Sequence, residues 1–125
     1  MKIYFIRHEE RDLSNPTYLT PLTTKGLENA NSKIKDNLSQ LNITTIFCSP
    51  FMRTLQTIDS FSQLSNLVIN IEYSLSETLT DPLFENNDQI NLNAYPEIKN
   101  RYLINSDYQS FLDVSNLKYP ETENA

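Results

Sequence analysis

Residues 43–57, ITTIFCSPFMRTLQT, form the stretch that decides the fold. Its first part, Ile43 to Cys48, is rich in β-branched and aromatic side chains and predicts a buried strand. Ser49 is a favoured helix N-cap, and Pro50 is of the type favoured at the first helical position. Apolar residues at spacings of three and four then predict a helix that continues to Leu64. A strand that leads directly into a helix is typical of an α/β unit.

The flanking sequence repeats this alternation. The short apolar run from Ile3 to Ile6 predicts a buried strand, and Leu67 to Ile71 predicts another. Between the first two strands, Thr23 or Thr24 is the expected N-cap of a helix whose apolar residues recur at spacings of three and four. The order strand, helix, strand, helix, strand predicts βαβ units, and thus a largely parallel sheet in an α/β fold.

The composition restricts the classes of function. A chain of 125 residues suits one domain, which we place at 1–125, and the formal net charge of −6 argues against a nucleic-acid binder. No apolar run reaches the roughly 18 residues that span a bilayer. The only cysteine, Cys48, excludes an intrachain disulfide, which fits a reducing compartment. We therefore expect a cytoplasmic protein without a membrane or nucleic-acid partner, and the sequence leaves its oligomeric state open.

His8, the only histidine, directly follows the first predicted strand. Arg53 follows the second, and the carboxyl ends of parallel strands lie on one side of a sheet. We therefore expect Arg7 and Arg53 to converge beside His8. Three of the four arginines, Arg7, Arg11 and Arg53, lie in these two segments, and guanidinium groups bind phosphate oxygens in a bidentate fork. An isolated histidine would more often be a surface loop residue, but these arginines favour a site for a small phosphorylated substrate.

Four segments resemble, in their order, the histidine phosphatase superfamily, whose fold is that of phosphoglycerate mutase. Arg7-His8-Glu9 resembles the Arg-His-Gly signature of the family, and residues 49–57 closely resemble its Ser-Pro-x-x-Arg-Thr-x-Gln-Thr signature. Leu22-Thr23-x-x-Gly26 resembles the entry to the first helix of the family, and Leu75-Ser76-Glu77 resembles the segment that carries its acid. The resemblance implies a three-layer α/β/α architecture around a mostly parallel central sheet.

The resemblance also implies a reaction, the hydrolysis of a phosphate monoester through a phosphohistidine. His8 would be the nucleophile, and Arg7 and Arg53 would bind the phosphate. Glu77 would protonate the leaving oxygen and then activate water. The family reaction needs no metal or cofactor, and one histidine with one distant cysteine offers few metal ligands. A mutase, which returns the phosphoryl group to its substrate, is less favoured because the long insertions typical of mutases are absent from the sequence.

The sequence departs from the family pattern within the loop that carries His8. Glu9 replaces the signature glycine. Ser14, with Asn15 beside it, stands where the family loop often has an asparagine. Glu10 and Arg11 are candidates for orienting this loop or touching the substrate, with a solvated loop role as the alternative.

A further departure is the absence of a second histidine, which the family has late in its chain. We therefore expect the chain to lack the C-terminal part of the family fold, as a truncated, partial or shortened domain. The alternative to an enzyme is then a catalytically inactive phosphate-binding or interaction module. The sequence does not decide between these two functions, and it does not identify the substrate.

Overall fold

The computed structural model describes residues 1–14, 19–76 and 96–111. Its elements are helix α1 (Thr24–Asn29), a π-helical segment (Ala30–Ile34), helix α2 (Lys35–Ser39), strand β1 (Ile46–Cys48), helix α3 (Met52–Ser65), strand β2 (Ile69–Ile71), a 3-10 helix (Tyr73–Leu75) and helix α4 (Pro96–Arg101). Two predicted site residues, Asn15 and Glu77, lie outside the described residues. None of the described helices is long and apolar enough to cross a membrane.

The two strands β1 and β2 pair in parallel, with Ile46 opposite Ile69. On the other side of β2, the amide of Ile69 donates to the carbonyl of Leu103 (2.7 Å), and the amide of Asn105 donates to the carbonyl of Ile69 (2.9 Å). Strand β2 thus has a neighbour on each side, which fits the burial of all three of its residues. The predicted parallel sheet of an α/β fold is confirmed, although its strands are shorter than the apolar runs that predict them.

The prediction of a buried strand at Ile3 to Ile6 is wrong. No strand forms there, and the side chains of Ile3 and Phe5 are 65% and 89% exposed. An apolar run becomes a buried strand only where a neighbouring strand supplies backbone partners and a face to pack against. Among the described residues, none forms a backbone hydrogen bond with residues 1–7, so the run lies at the surface.

The helix predicted after Thr23 is confirmed. Thr23 is its N-cap, and the Thr23 hydroxyl accepts a hydrogen bond from the amide of Gly26 at 3.1 Å. Helical structure continues through residues 24–39, and the π-helical segment in its middle packs against α3. Leu38, near its end, joins the hydrophobic core.

Helix α3 begins later than the sequence predicts. Its N-cap is Phe51 (φ −79°, ψ 145°), and the prediction of Ser49 as the N-cap is wrong. The hydroxyl of Ser49 instead donates to the hydroxyl of Thr54 at 2.9 Å, and the Thr54 hydroxyl lies 2.8 Å from the carbonyl of Phe51. A threonine inside the helix therefore connects, through its hydroxyl, to both Ser49 and the N-cap residue Phe51. The helix closes at Asn66, whose backbone is left-handed (φ 56°, ψ 33°).

The core lies between the sheet and α3. Phe51, Leu55 and Ile69 are its most deeply buried apolar side chains, each at most 1% exposed. Leu38 from α2 and Tyr102 from the segment 96–111 also belong to the cluster. Burial of one such side chain stabilises a fold by roughly 1.5–3 kcal/mol. Since two of these residues lie at or near the start of α3, the core fixes the position of that helix terminus.

Candidate active site

The imidazole of His8 is oriented by its neighbour in the chain. Its Nδ1 lies 2.6 Å from the carbonyl oxygen of Glu9, and the residue is partly buried. A carbonyl oxygen only accepts hydrogen bonds, so Nδ1 carries the proton in this arrangement. The Nε2 of the neutral ring then keeps its lone pair, which is the form of histidine that acts as a nucleophile.

Glu9, which replaces the family glycine, is tied to two helices. Its amide donates to the hydroxyl of Thr57 in α3 at 3.0 Å. Its carboxylate Oε2 accepts a hydrogen bond from the side-chain amide of Asn29, the last residue of α1, at 3.4 Å. The negatively charged carboxylate of Glu9 therefore has a hydrogen-bond partner in α1.

The next residue, Glu10, is held through its backbone. Its carbonyl accepts hydrogen bonds from the amide (2.9 Å) and the hydroxyl (3.3 Å) of Thr23, and its side chain is exposed. A β-carbon at Gly26 would overlap this same carbonyl oxygen and would lie 3.2 Å from the β-carbon of Leu22. Glycine is needed at position 26 because the loop and the start of α1 approach each other so closely.

Arg53 lies in the first turn of α3, just beyond the carboxyl end of β1, as the sequence predicts. Its side chain is 1% exposed, and its guanidinium carbon lies 4.2 Å from the centroid of the Phe51 ring. Stacking of this kind orients a guanidinium group and stabilises its charge through the negative face of the ring. The side chain of Arg7 is exposed. The convergence of Arg7 and Arg53 beside His8 stays a prediction.

The remaining predicted loop residues have local contacts. Arg11 is partly buried and forms an antiparallel bridge with Leu22. Ser14 is exposed, and its amide donates to the carboxylate of Asp12 at 2.9 Å. This hydrogen bond and one from the Ser14 side chain lower the pKa of Asp12. Ser14 therefore takes part in a turn at the surface, and Glu77 and Asn15 lie outside the described residues.

The sequence matches the family model of the histidine phosphatase superfamily, branch 1, over residues 3–109. The chain belongs to the histidine phosphatase superfamily. The matched range includes both the His8 loop and the start of α3, so the family predicted from the signature segments is confirmed.

Comparison with solved structures places this histidine phosphatase chain in the phosphoglycerate mutase-like fold. The crystal structure of the ecdysone phosphate phosphatase EPPase from Bombix mori, in complex with tungstate, matches it with a TM-score of 0.56 at 17% sequence identity. The match covers 85% of this chain and 55% of that chain, so the present chain spans little more than half of the length of that protein. No curated protein matches the sequence significantly.

Two residues of the second signature have positions that sequence reasoning did not assign. The side-chain oxygen of Gln56 accepts a hydrogen bond from the amide of Leu22 at 2.7 Å. The hydroxyl of Thr57 accepts one from the amide of Glu9 and donates to the carbonyl of Arg53 at 2.7 Å. A signal was present in the sequence, since residues three and four positions after Arg53 lie on the same helix face. In this histidine phosphatase chain, α3 therefore binds the backbone amides of both Glu9 and Leu22, which precede it in the sequence.

A buried acid at the end of β2 was also missed. Glu72 is 4% exposed. Its carboxylate accepts hydrogen bonds from three residues of the segment 96–111 and from one residue two positions after it. The donors are the Ser110 hydroxyl (2.8 Å), the Phe111 amide (3.0 Å), the Tyr108 hydroxyl (3.1 Å) and the Ser74 hydroxyl (2.9 Å). Burial alone would raise the pKa of Glu72, but these hydrogen bonds to the ionised form outweigh it and lower the pKa. Glu72 thus joins residues 108–111 to the carboxyl end of the sheet.

Cys48 has the properties of an inert core residue. It is buried at the end of β1, and burial raises the pKa of its thiol to about 12. The thiolate is the reactive form of cysteine, so this side chain is no nucleophile at neutral pH. Within the described residues, no group of three or more His, Cys, Asp or Glu side chains could bind a metal ion.

Proposed function

We propose that this chain uses His8 to hydrolyse a phosphate monoester of a small molecule. The observation that carries the proposal is the hydrogen bond from Nδ1 of His8 to the carbonyl of Glu9, because it leaves the Nε2 lone pair for attack on phosphorus. Membership of the histidine phosphatase superfamily supports this role for the only histidine of the chain.

The reaction takes place in two displacements at phosphorus. In the first, a bond forms between Nε2 of His8 and phosphorus while the phosphorus–oxygen bond to the leaving group breaks, and the leaving oxygen takes up a proton, in our proposal from Glu77. In the second, water attacks phosphorus and gives up a proton, in our proposal to the carboxylate of Glu77, while the Nε2–phosphorus bond breaks and releases inorganic phosphate and the free imidazole of His8. Arg53 and Arg7 would stabilise the charge on the non-bridging oxygens in both steps.

The buried, stacked guanidinium of Arg53 supports its role as a phosphate ligand. A group that is already oriented by Phe51 loses little conformational freedom when it binds an oxyanion, so its interaction is available in the transition state. Tungstate, the ligand of the EPPase crystal structure, is a tetrahedral oxyanion like phosphate, which makes it a suitable probe for this chain. The acidic net charge supports a small substrate in preference to a nucleic acid, and the single reduced cysteine supports a cytoplasmic location.

One observation favours a second function. The chain contains a single histidine, whereas the family resemblance implies two in a complete phosphate pocket. The alternative is therefore a module that binds a phosphate group through Arg53 and the His8 loop without turning it over.

The experiment that separates these functions is incubation with p-nitrophenyl phosphate, with measurement of p-nitrophenol release and of acid-labile phosphate on the protein. The proposal predicts both signals in the natural chain and neither in His8→Ala. Lys25→Ala, an exposed change in α1, is the control and should leave both signals unchanged. Binding of tungstate without product or label would favour the second function, and product release unchanged in His8→Ala would exclude His8 as the nucleophile.

A further inference from the structure

Thr57 connects the His8 loop to the start of α3, and the proposed function depends on these two segments. It lies in the second turn of α3 and is 4% exposed. Its hydroxyl donates to the carbonyl of Arg53 at 2.7 Å and accepts from the amide of Glu9 at 3.0 Å. The carbonyl of Arg53 can only accept, so the Thr57 proton is committed to it, and a lone pair of the hydroxyl faces the loop.

The hydrogen bonds continue from Thr57 to the imidazole. The Glu9 amide donates to Thr57, and the carbonyl of the same residue accepts from Nδ1 of His8 at 2.6 Å. Three hydrogen bonds in series therefore join the carbonyl of Arg53 to the ring of His8. Each of them has one possible direction, since carbonyl oxygens accept and the amide donates.

Other contacts fix different atoms of the loop. Thr23 binds the carbonyl of Glu10, and Asn29 binds the carboxylate of Glu9. Neither of them reaches the amide of Glu9, whose partner is Thr57. Thr57 thus fixes the peptide unit between His8 and Glu9. The carbonyl that receives the imidazole proton belongs to the next peptide unit, and Thr23 binds the backbone on the far side of that unit at the Glu10 carbonyl.

We propose that Thr57 is a positioning residue that keeps His8 in its Nδ1-protonated tautomer and so presents the Nε2 lone pair to the phosphate site. The consequence for catalysis rests on the proposed function, but the tautomer itself does not. Loss of the Thr57 hydroxyl frees the His8–Glu9 peptide unit to rotate, which changes the position of the imidazole relative to the Glu9 carbonyl, and the carbonyl then no longer holds the proton on Nδ1.

The tautomer is measured directly by ¹⁵N NMR of the imidazole at a pH where the ring is neutral. Because the chain has one histidine, the spectrum contains one pair of ring nitrogens. We expect a protonated Nδ1 and an unprotonated Nε2 in the natural chain and in Thr57→Ser, which keeps the hydroxyl. In Thr57→Val the two shifts should approach each other as the Nε2-protonated tautomer becomes populated.

The matched control is Ser65→Ala. Ser65 lies in the same helix, and its hydroxyl donates to the carbonyl of Phe61, four residues earlier, at 2.7 Å, as Thr57 does to Arg53. The control removes the same kind of bond far from the loop and should leave the His8 spectrum unchanged. Unchanged shifts in Thr57→Val, or Thr57→Ser behaving like Thr57→Val, would overturn the proposal.

Hydrogen exchange of the Glu9 amide keeps the proposal testable if Thr57→Val does not fold. In the natural chain this amide should exchange on the order of 10-fold more slowly than an unbonded amide, given the usual strength of one hydrogen bond. Exchange at the unprotected rate would overturn the proposal. A chain without phosphatase activity could still show the predicted tautomer, so failure of this inference and failure of the proposed function are distinguishable.

Discussion

Gly26 provides a test, at the scale of one residue, of how α1 supports the His8 loop. An added β-carbon would meet the backbone of Glu10, which cannot move aside as a flexible side chain can. We expect Gly26→Ala to lower the free energy of unfolding by about 1–2 kcal/mol, because overpacking costs more than the helix propensity that alanine gains. Urea denaturation measures this loss. Lys25→Ala, an exposed change in the same turn, should alter the stability little, and a Gly26→Ala chain as stable as the natural one would contradict the close approach.

Cys48 gives a second prediction for a single side chain. Since its thiol is buried and its pKa is raised to about 12, we expect almost no reaction with a thiol reagent at neutral pH. After unfolding in denaturant, one thiol per chain should react completely, because Cys48 is the only cysteine. Rapid labelling of the folded protein would show that the end of β1 opens readily.

At the scale of elements, Glu72 joins the segment 108–111 to β2, and this contact has a definite pH dependence. Its pKa in the folded state lies below the usual value of 4.5, so the unfolded chain binds the proton more readily. The stabilisation is therefore complete above pH 4.5 and is lost as the pH falls through the lowered pKa. We expect Glu72→Gln to be less stable than the natural chain at neutral pH, with the difference shrinking in acid.

Urea midpoints measured across this acidic range test the prediction. Glu28→Gln is the control, because Glu28 is an exposed glutamate of α1 and should leave the acid dependence of stability unchanged. A stability difference between Glu72→Gln and the natural chain that does not vary with pH would contradict an ionised Glu72 in the folded state.

The elements also show how far the sequence determines the structure. The strand and helix within residues 43–57 could be predicted, because β-branched residues and apolar spacing are local properties. The helix start could not, because the pairing of Ser49 with Thr54, in place of an N-cap role for Ser49, depends on the backbone path after β1. The run at Ile3 to Ile6 has the same apolar character as a buried strand, yet its burial depends on a neighbour that local sequence does not specify.

For the whole molecule, the α/β fold and the family follow from four short segments. Their order is a property of the whole chain, and it predicts His8 and Arg53 after successive strands, of which only the second forms. The site was harder to predict, since His8 is oriented by the adjacent Glu9, and Glu9 is in turn held by Thr57 and Asn29, which are distant in sequence. Such contacts are set by the packing of α1 and α3 against one loop.

The central claim is that Nε2 of His8 accepts a phosphoryl group, and the position of the phosphate on the ring tests it most directly. The protein is incubated with p-nitrophenyl phosphate, quenched in alkali, and examined by ³¹P and ¹⁵N NMR. Because Nδ1 is protonated by its contact with the Glu9 carbonyl, we predict phosphorus bound to Nε2 alone. Phosphate on Nδ1, or product formed while His8 stays unmodified and is dispensable, would contradict the claim.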